Sequence, residues 1–401
     1  MSKPKLALIP SGYKSGKVYS ILPNDATGDF DFDRASEGTR VRKDGLIEEV
    51  ADDVPRLNWY NSNCPSLLLE PQRTNIQLRS EEFDNAVWSK VNASITANQI
   101  VAPNGEYTAD KLTATATSLS TYVYEQHSLS TSTDYSMSVF VKKGTSNLVR
   151  LDLEDFTSGN QGRMTFNLNT KEITQTVGTA SYEDYGNGWY RLKVSFTTSA
   201  TLGIHYLRIW DYETVNGAYF YLWGAQIEEG SYCSSYIKTE GSTVTRLQDH
   251  CYGSGTADLF DTEVGVIYLE LKKNGLESTF SGLSLSDGTT SNRIQIRYVA
   301  DSNTIQVVVR VGGSAVVVIS HTLTDVTVRH KIALKFEADD YAFWVNGTEV
   351  GTDTSGALPP NLSEFAFDDG NGANLFFGSV YEARVYTNDL TDTELTELTT
   401  L

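Results

Sequence analysis

The feature that most constrains this chain is a period of two. In an extended chain successive side chains point to opposite faces, so strict alternation of apolar and polar residues marks a half-buried strand. From about Asp84 to Thr245 the alternation recurs in run after run. Tyr135, Met137, Val139 and Val141 share one face of TDYSMSVFVKKG, and Val149, Leu151 and Leu153 one face of NLVRLDLED. Met164, Phe166 and Leu168 repeat the rule, as do Tyr190, Leu192, Val194 and Phe196, and AYFYLWGAQIEEG closes the set. Gly, Asn and Ser turns separate these runs, a spacing that predicts a β-sandwich or jelly roll.

Gly253-Ser-Gly255 reads as a linker, after which a second β unit runs to the C-terminus. Its runs VIYLELKKNG, RIQIRYVADSNTIQVVVRVGGSAVVVISHTL and KIALKFEADDYAFWVNGTEV are successive hairpins, with Gly312-Gly313 and Asn346-Gly347 at their tips. Tyr341, Phe343 and Val345 alternate there with Ala342 and Trp344, so one of the two sets faces the core, and Trp344 is a candidate for exposure. Thr391 and Glu394 make a capping box that predicts one short terminal helix. No heptads of useful length occur, so no coiled-coil trimer is encoded.

Ahead of the strands, residues 1–58 are rich in turn formers. DFDFD at 29–33 predicts a short strand with Phe30 and Phe32 on one face. Arg34, Arg40, Arg42 and Lys43 make 34–43 the most basic stretch, either a solvated loop paired with nearby acids or an arm that docks on an acidic assembly. Within Trp59–Trp88, the run Pro65–Asn75 is bounded by prolines that disfavour helix, and so reads as a buried extended segment. Leu67, Leu68 and Leu69 would pack beneath a sheet edge, with a Glu70/Arg73 ion pair holding the corner.

Composition excludes several classes. Asp and Glu total 51 against 32 Lys and Arg, a formal charge of −19, which argues against binding nucleic-acid backbone or anionic lipid. No apolar run is long enough to cross a membrane as a helix, and the four-residue patch before Pro10 is too short for a signal peptide. Cys64, Cys233 and Cys251 show no CxxC spacing and read as free thiols of a reducing cytoplasm, with a Cys233–Cys251 bridge as the alternative. The histidines show no zinc spacing.

Three stretches resemble known families. Residues 84–246 resemble the jelly-roll carbohydrate-binding modules of phage structural proteins, through Trp88, GNGWYRL at 186–192 and WGAQIEEGSYCSSYIKTEGSTVTR at 223–246. Residues 260–401 resemble the concanavalin A-like, laminin-G-like lectin fold, through KIALKF, FWVNGTEV, LFFGSVYEARVYTNDL and TDTEL. The stretch DFDFDRASEGTRVRKDGLIEEVADDVPRLNW with SLLLEPQRTN resembles the leader of phage tail-fibre, head-fibre and receptor-binding proteins. The expected fold is therefore all-β. An irregular attachment arm and junction (1–83) precedes a jelly roll (84–246), a linker (247–259) and a concanavalin A-like sandwich (260–401) with a short C-terminal helix.

A sugar site needs flat aromatic surfaces beside fixed polar groups. GIHYLRIWDYE places Leu207 and Ile209 on one side and Tyr206, Arg208 and Trp210 on the other. Trp189 and Arg191 lie opposite Tyr190 and Leu192, and Tyr221 opposite Phe220 and Leu222, with Trp223 the weakest member of the set. Together they suggest one aromatic and cationic sheet face, whose alternative role is packing against a subunit or another domain. In the second sandwich, Asp287, Asn292, Asp368, Asp369 and Asn371 lie on oxygen-rich loops that would suit calcium, or serve as solvated turns. No carboxylate pair of glycosidase type and no nucleophile motif stands out, so the expectation is a non-enzymatic protein.

The resemblance implies a virion fibre or spike, made in a bacterial cytoplasm and displayed on the particle surface. It would be homotrimeric, bound to other virion proteins through its arm, and would recognise host surface glycans. The alternatives are a purely structural capsid decoration or fibre adaptor, and an accessory module of a polysaccharide-degrading system.

Overall fold

A computed structural model describes residues 2–118, 120–201, 203–260 and 263–401. The chain is all-β with a short C-terminal helix, and it divides into two compact units. The first comprises Met1–Glu37, Val50–Pro71 and Leu247–Leu401, the second Gly38–Glu49 and Gln72–Arg246. These boundaries differ from the expected ones. Residues 1–83 are not a separate arm, because most of their strands complete sheets with residues far along the chain.

Among the described residues, the first unit has an eight-stranded sheet. Its path runs Thr348–Asp353, Asp340–Val345, His330–Glu337, Val264–Lys273, Gly378–Tyr386, Ser66–Leu69 and Arg56–Asn58, and Leu6–Leu8 also pairs with Gly378–Tyr386. A second sheet of five runs Ser314–Thr322, Thr304–Val311, Arg293–Tyr298, Ser281–Ser286 and Glu364–Ala366. Leu6, Leu8, Leu67, Leu69, Ile267, Leu285, Ile294, Phe343 and Val385 share one core. The Gly312-Gly313 and Asn346-Gly347 tips both have positive φ at each central residue, as a type I′ turn requires.

Several readings of the N-terminal third change here. Phe30 and Phe32 do share a buried face, and their strand Phe30–Asp33 pairs with His250–Tyr252, inside the expected linker. The run after Pro65 is extended and buried, but as an interior strand rather than a segment beneath an edge. Within the first unit Glu70 has another partner than the one expected. It accepts from Arg56 Nη1 at 2.5 Å, and Arg56 also bonds Asp249, which accepts from Arg34 Nη1 at 3.1 Å. All four side chains are buried, and their mutual pairing offsets the desolvation. Of the basic stretch, Arg34 is thus consumed internally, while Arg40 and Arg42 pair with Glu48 and Asp44.

Thr391 caps the helix Asp392–Thr399 through the expected capping box. Leu395 and Leu398 of that helix close a small core over Tyr268, Tyr386 and Trp344, so Trp344 is buried and not exposed. The three cysteines are free, so Cys233 and Cys251 form no bridge.

The second unit is a sandwich of two six-stranded sheets among the described residues. The front sheet runs Ser89–Val91, Tyr122–His127, His205–Asp211, Leu148–Asp155, Gly159–Asn167 and Ile173–Val177. The back sheet runs Ala93–Ile100, Ala109–Ala114, Tyr219–Glu229, Asp134–Lys143, Trp189–Thr197 and Thr179–Asp184. The alternating sets Met137/Val139/Val141, Val149/Leu151/Leu153, Met164/Phe166, Leu192/Val194 and Leu207/Ile209 meet between them. Their complements therefore face outward.

Candidate ligand-binding face

The outward face of the front sheet is built by register. Tyr122 lies opposite Trp210, which lies opposite Arg150, which lies opposite Thr165. One row along, Tyr124, Arg208, Asp152 and Arg163 line up in the same way, and the next row holds Gln126, Tyr206 and Glu154. Cross-strand neighbours on one face are close enough for their side chains to interact, so three rows make one continuous surface.

Five rings form a ribbon along it. Phe156 meets Tyr206 edge-on at 4.7 Å between centroids, Tyr206 meets Tyr124 at 5.2 Å, Tyr124 meets Tyr122 at 5.9 Å, and Tyr122 meets Trp210 at 4.1 Å. Tyr122, Tyr124 and Tyr206 are half-buried, and Phe156, in the loop after Leu148–Asp155, is 69% exposed. Such rings keep one side in packing contact and present the other to solvent.

A polar ridge runs beside the ribbon. Arg208 grips Asp152 with two hydrogen bonds, from Nε at 2.7 Å and Nη2 at 3.1 Å, and also pairs with Glu154. Its guanidinium lies 4.7 Å from the Trp210 ring centroid and 5.6 Å from that of Tyr122. Burial works against the Arg208 charge, but Asp152 and Glu154 outweigh it and raise its pKa. Arg150 stacks on Tyr212 at 3.7 Å and donates to Thr165 and Gln175, and burial, with the nearby charge of Arg163, lowers its pKa. Arg163 lies 3.6 Å from Asp152, with a buried Nε that has no hydrogen-bond partner. The face thus offers flat apolar rings beside the partly exposed side chains of Glu154 and Arg163, while Arg150, Arg208 and Asp152 are buried.

Of the six residues singled out from sequence, the structure brings Tyr206, Arg208 and Trp210 together here. Trp189, Arg191 and Tyr221 lie on the back sheet. They face away from the core as read, but Trp189 and Arg191 are buried under other residues of the unit. Trp189 donates to the Val101 carbonyl at 3.1 Å, and Arg191 donates to Ser138 Oγ and stacks on Phe140. Tyr221 is half-buried against Tyr219. Two sheets, not one face, hold the six, because sequence alternation assigns a side of a strand and not a sheet. Tyr122, Tyr124, Arg150, Asp152, Glu154, Phe156 and Arg163 were missed as site residues. The signal for three of them was present, since Arg150, Asp152 and Glu154 are the complement of Val149, Leu151 and Leu153.

The two oxygen-rich loops of the first unit do come together. Arg293 donates to the Asp369 carbonyl, and a Cβ on Gly370 would lie 2.9 Å from the Thr289 carbonyl oxygen. Their carboxylates are engaged within the protein. Asp287 bonds Thr289 and Asn292, Asp368 bonds His250 and the Gly370 amide, and Asp369 bonds Asn374 and the Ala373 amide, while Asn371 is exposed. Among the described residues no group of three or more His, Cys, Asp or Glu is placed to hold a metal ion.

No family model and no curated protein matches the chain. Solved structures similar to parts of it include the CBM40 of Ruminococcus gnavus IT-sialidase (20% identity, 37% of this chain and 88% of that one, TM-score 0.32). Another is domain 4 of AbnA, a GH43 extracellular arabinanase from Geobacillus stearothermophilus, in complex with arabinotriose (15% identity, 41% and 80%, TM-score 0.31). A third is the LG4-5 pair of the mouse laminin alpha1 chain (12% identity, 76% and 96%, TM-score 0.26). All three overlaps are distant in sequence.

Proposed function

We propose that this chain is a non-enzymatic virion fibre or spike protein whose second unit binds host surface glycans on the outward face of its front sheet. The observation that carries the glycan reading is the ribbon Phe156–Tyr206–Tyr124–Tyr122–Trp210 running beside the partly exposed side chains of Glu154 and Arg163. A pyranose has apolar C–H faces and a rim of hydroxyls, which each both donate and accept. Rings take the faces, while Arg163 as donor and Glu154 as acceptor take the rim. The ribbon is longer than one sugar, which suits an oligosaccharide lying along it.

The virion part of the reading is supported by the resemblance of residues 29–75 to fibre leaders. In this reading the N-terminal segment makes the contact with other virion proteins and copies assemble as a homotrimer. Weak single sites then gain avidity through multivalency.

A glycan array probed with the intact protein tests the face. We expect selective binding that falls about tenfold or more in Tyr206→Ala and Tyr124→Ala, with melting temperatures held within a few degrees. A silent array, or binding indifferent to both substitutions, would overturn the glycan reading. Variants that block particle assembly instead would make the face a subunit interface. Absence of the protein from purified particles by mass spectrometry would remove the virion reading.

A further inference from the structure

The outward face of the back sheet carries a second constellation, on the opposite side of the sandwich from the ring ribbon. One register row crosses four of its strands. Lys111 lies opposite Tyr221, Tyr221 opposite Lys142, and Lys142 opposite Trp189. The neighbouring row of the same face sets Thr113 opposite Tyr219. Lys111, Lys142, Tyr219 and Tyr221 are half-buried, so each keeps part of its surface in solvent. Tyr107, between the strands Ala93–Ile100 and Ala109–Ala114, is 62% exposed and donates to the Gln99 carbonyl at 2.5 Å.

The rings lie together. Tyr219 meets Tyr221 edge-on, with 5.6 Å between centroids. Tyr219 also packs on Gly144, where a Cβ would come within 2.4 Å of the ring, so a bare backbone lets it settle on the sheet. Burial raises the Tyr221 pKa, and the adjoining Tyr219 and Tyr107 raise it further, which puts three phenols in one neighbourhood.

The two lysines are the unexplained groups. Lys111 Nζ stands 5.5 Å from the Tyr219 ring centroid, and Lys142 Nζ 6.0 Å from that of Trp189. Among the described residues of this unit neither lysine enters an ion pair, whereas Lys193 and Lys238 do. A ring face in solvent holds an ammonium group weakly, and a carboxylate holds it better. Neighbouring strands lie about 4.8 Å apart, so the Lys111 and Lys142 backbones are about 10 Å apart with Tyr221 midway. That span is within the combined reach of two lysine side chains.

Charge and shape then select the ligand. Two unpaired cations on a chain of net charge −19 favour an anion at this one place, while the overall charge repels a long polyanion. A small inorganic anion would leave the rings uncovered. A neutral sugar would cover the rings and leave both ammonium groups without a carboxylate. A pyranose that carries its own carboxylate meets both demands.

We propose that this face binds a hexuronate, its ring on Tyr221 and Tyr219 and its carboxylate accepting from Lys111 or Lys142 Nζ. The site does not rest on the front-face reading, and the two can be tested apart.

Saturation-transfer NMR on the intact protein in low salt tests it, with D-glucuronate and D-galacturonate as probes. D-glucose and D-galactose supply the same rings without the carboxylate, and acetate the carboxylate without a ring. At least one uronate should saturate, with an affinity about tenfold or more above that of its neutral counterpart and of acetate. The double variant Lys111→Gln with Lys142→Gln should weaken it about tenfold, and Tyr221→Ala about as much. Tyr124→Ala, on the front sheet, should leave it unchanged. No saturation by either uronate would overturn the proposal, as would equal affinity for acetate or the neutral sugar. Undiminished binding to the double lysine variant, or loss in Tyr124→Ala, would also overturn it. Should the lysine variant fold poorly, the wild-type protein answers the same question, because added salt should weaken the uronate. A uronate affinity unmoved by salt would remove the lysines from the site.

Discussion

Asp152 holds the front face together. It accepts two bonds from Arg208 and one from Trp210 Nε1 at 3.1 Å, with Arg163 a further 3.6 Å away, and it is fully buried. Removing it leaves the Arg208 charge and the indole donor without their shared acceptor in a low-dielectric setting. Asp152→Ala should therefore cost about 3–5 kcal/mol in denaturant unfolding, and Asp152→Asn less, because one carbonyl oxygen remains. A loss below about 1 kcal/mol for the alanine variant would mean the cluster relaxes and the ring ribbon is not held by it. At this scale sequence reading went far on the front face. Tyr206, Arg208 and Trp210 were separated correctly from Leu207 and Ile209 by parity alone. Parity failed at Trp189 and Arg191, because the chain around Phe140, Tyr185 and Val101 covers them, and no local pattern shows which outward face another segment will bury.

The strand Tyr122–His127 joins the binding face to a buried polar cluster. Its Tyr122 and Tyr124 face outward, whereas Glu125 and His127 turn inward to Gln77. Burial pushes the Glu125 carboxyl up to about 7, against the hydrogen bonds from the Leu78 amide and Gln77. Burial, with the nearby His205, pulls His127 down to about 4. The signs oppose each other. A raised carboxyl contributes stability that is full below its ordinary value, near 4.5, and is lost as pH rises through about 7. A depressed histidine contributes stability that is full above about 6.5 and is lost as pH falls through about 4. Asp110, pushed up to about 6 by burial, acts in the same direction as Glu125. Relative to wild type, Glu125→Gln should tilt the melting temperature upward with pH between about 4 and 7, and His127→Gln should tilt it downward. Melting curves across that range decide it, and equal slopes in all three proteins would show that neither group stays neutral in the fold. Elements with strong local signals were legible, among them the Asn346-Gly347 turn and the Thr391 capping box. The inward turn of Glu125 was not, since a buried acid breaks the alternation that sequence reading relies on.

At the scale of the whole molecule, what sequence reading lacked was long-range pairing. Its boundaries followed composition, so the turn-rich first third became an arm and Gly253-Ser-Gly255 a linker. Sheet completion ignores composition. Leu6–Leu8, Arg56–Asn58 and Ser66–Leu69 belong to the same sheet as Gly378–Tyr386, and Phe30–Asp33 pairs with His250–Tyr252. Asp249, fully buried, ties Arg34, Arg56 and the Glu70 amide to the start of the last segment. A fragment of residues 260–401, the sandwich the sequence suggested, would lack those strands and expose the core that Leu6, Leu8, Phe30, Phe32, Leu67 and Leu69 cover in the intact chain. Each fully buried side chain of this kind contributes about 1.5–3 kcal/mol relative to exposure, so losing six costs about 9–18 kcal/mol, comparable to the whole of the roughly 5–15 kcal/mol that ordinarily holds a domain folded. The fragment should therefore give collapsed, poorly dispersed amide spectra and bind a dye for exposed apolar surface. Adding a polypeptide of residues 1–71 to a fragment of residues 247–401, which keeps Asp249 and the strand His250–Tyr252, should restore dispersion. The same addition with Asp249→Ala in a 247–401 fragment should fail, because two arginines would then be buried with Glu70 as their remaining carboxylate in the cluster. A well-dispersed, cooperatively melting 260–401 fragment would instead return the N-terminal strands to the role of an added arm.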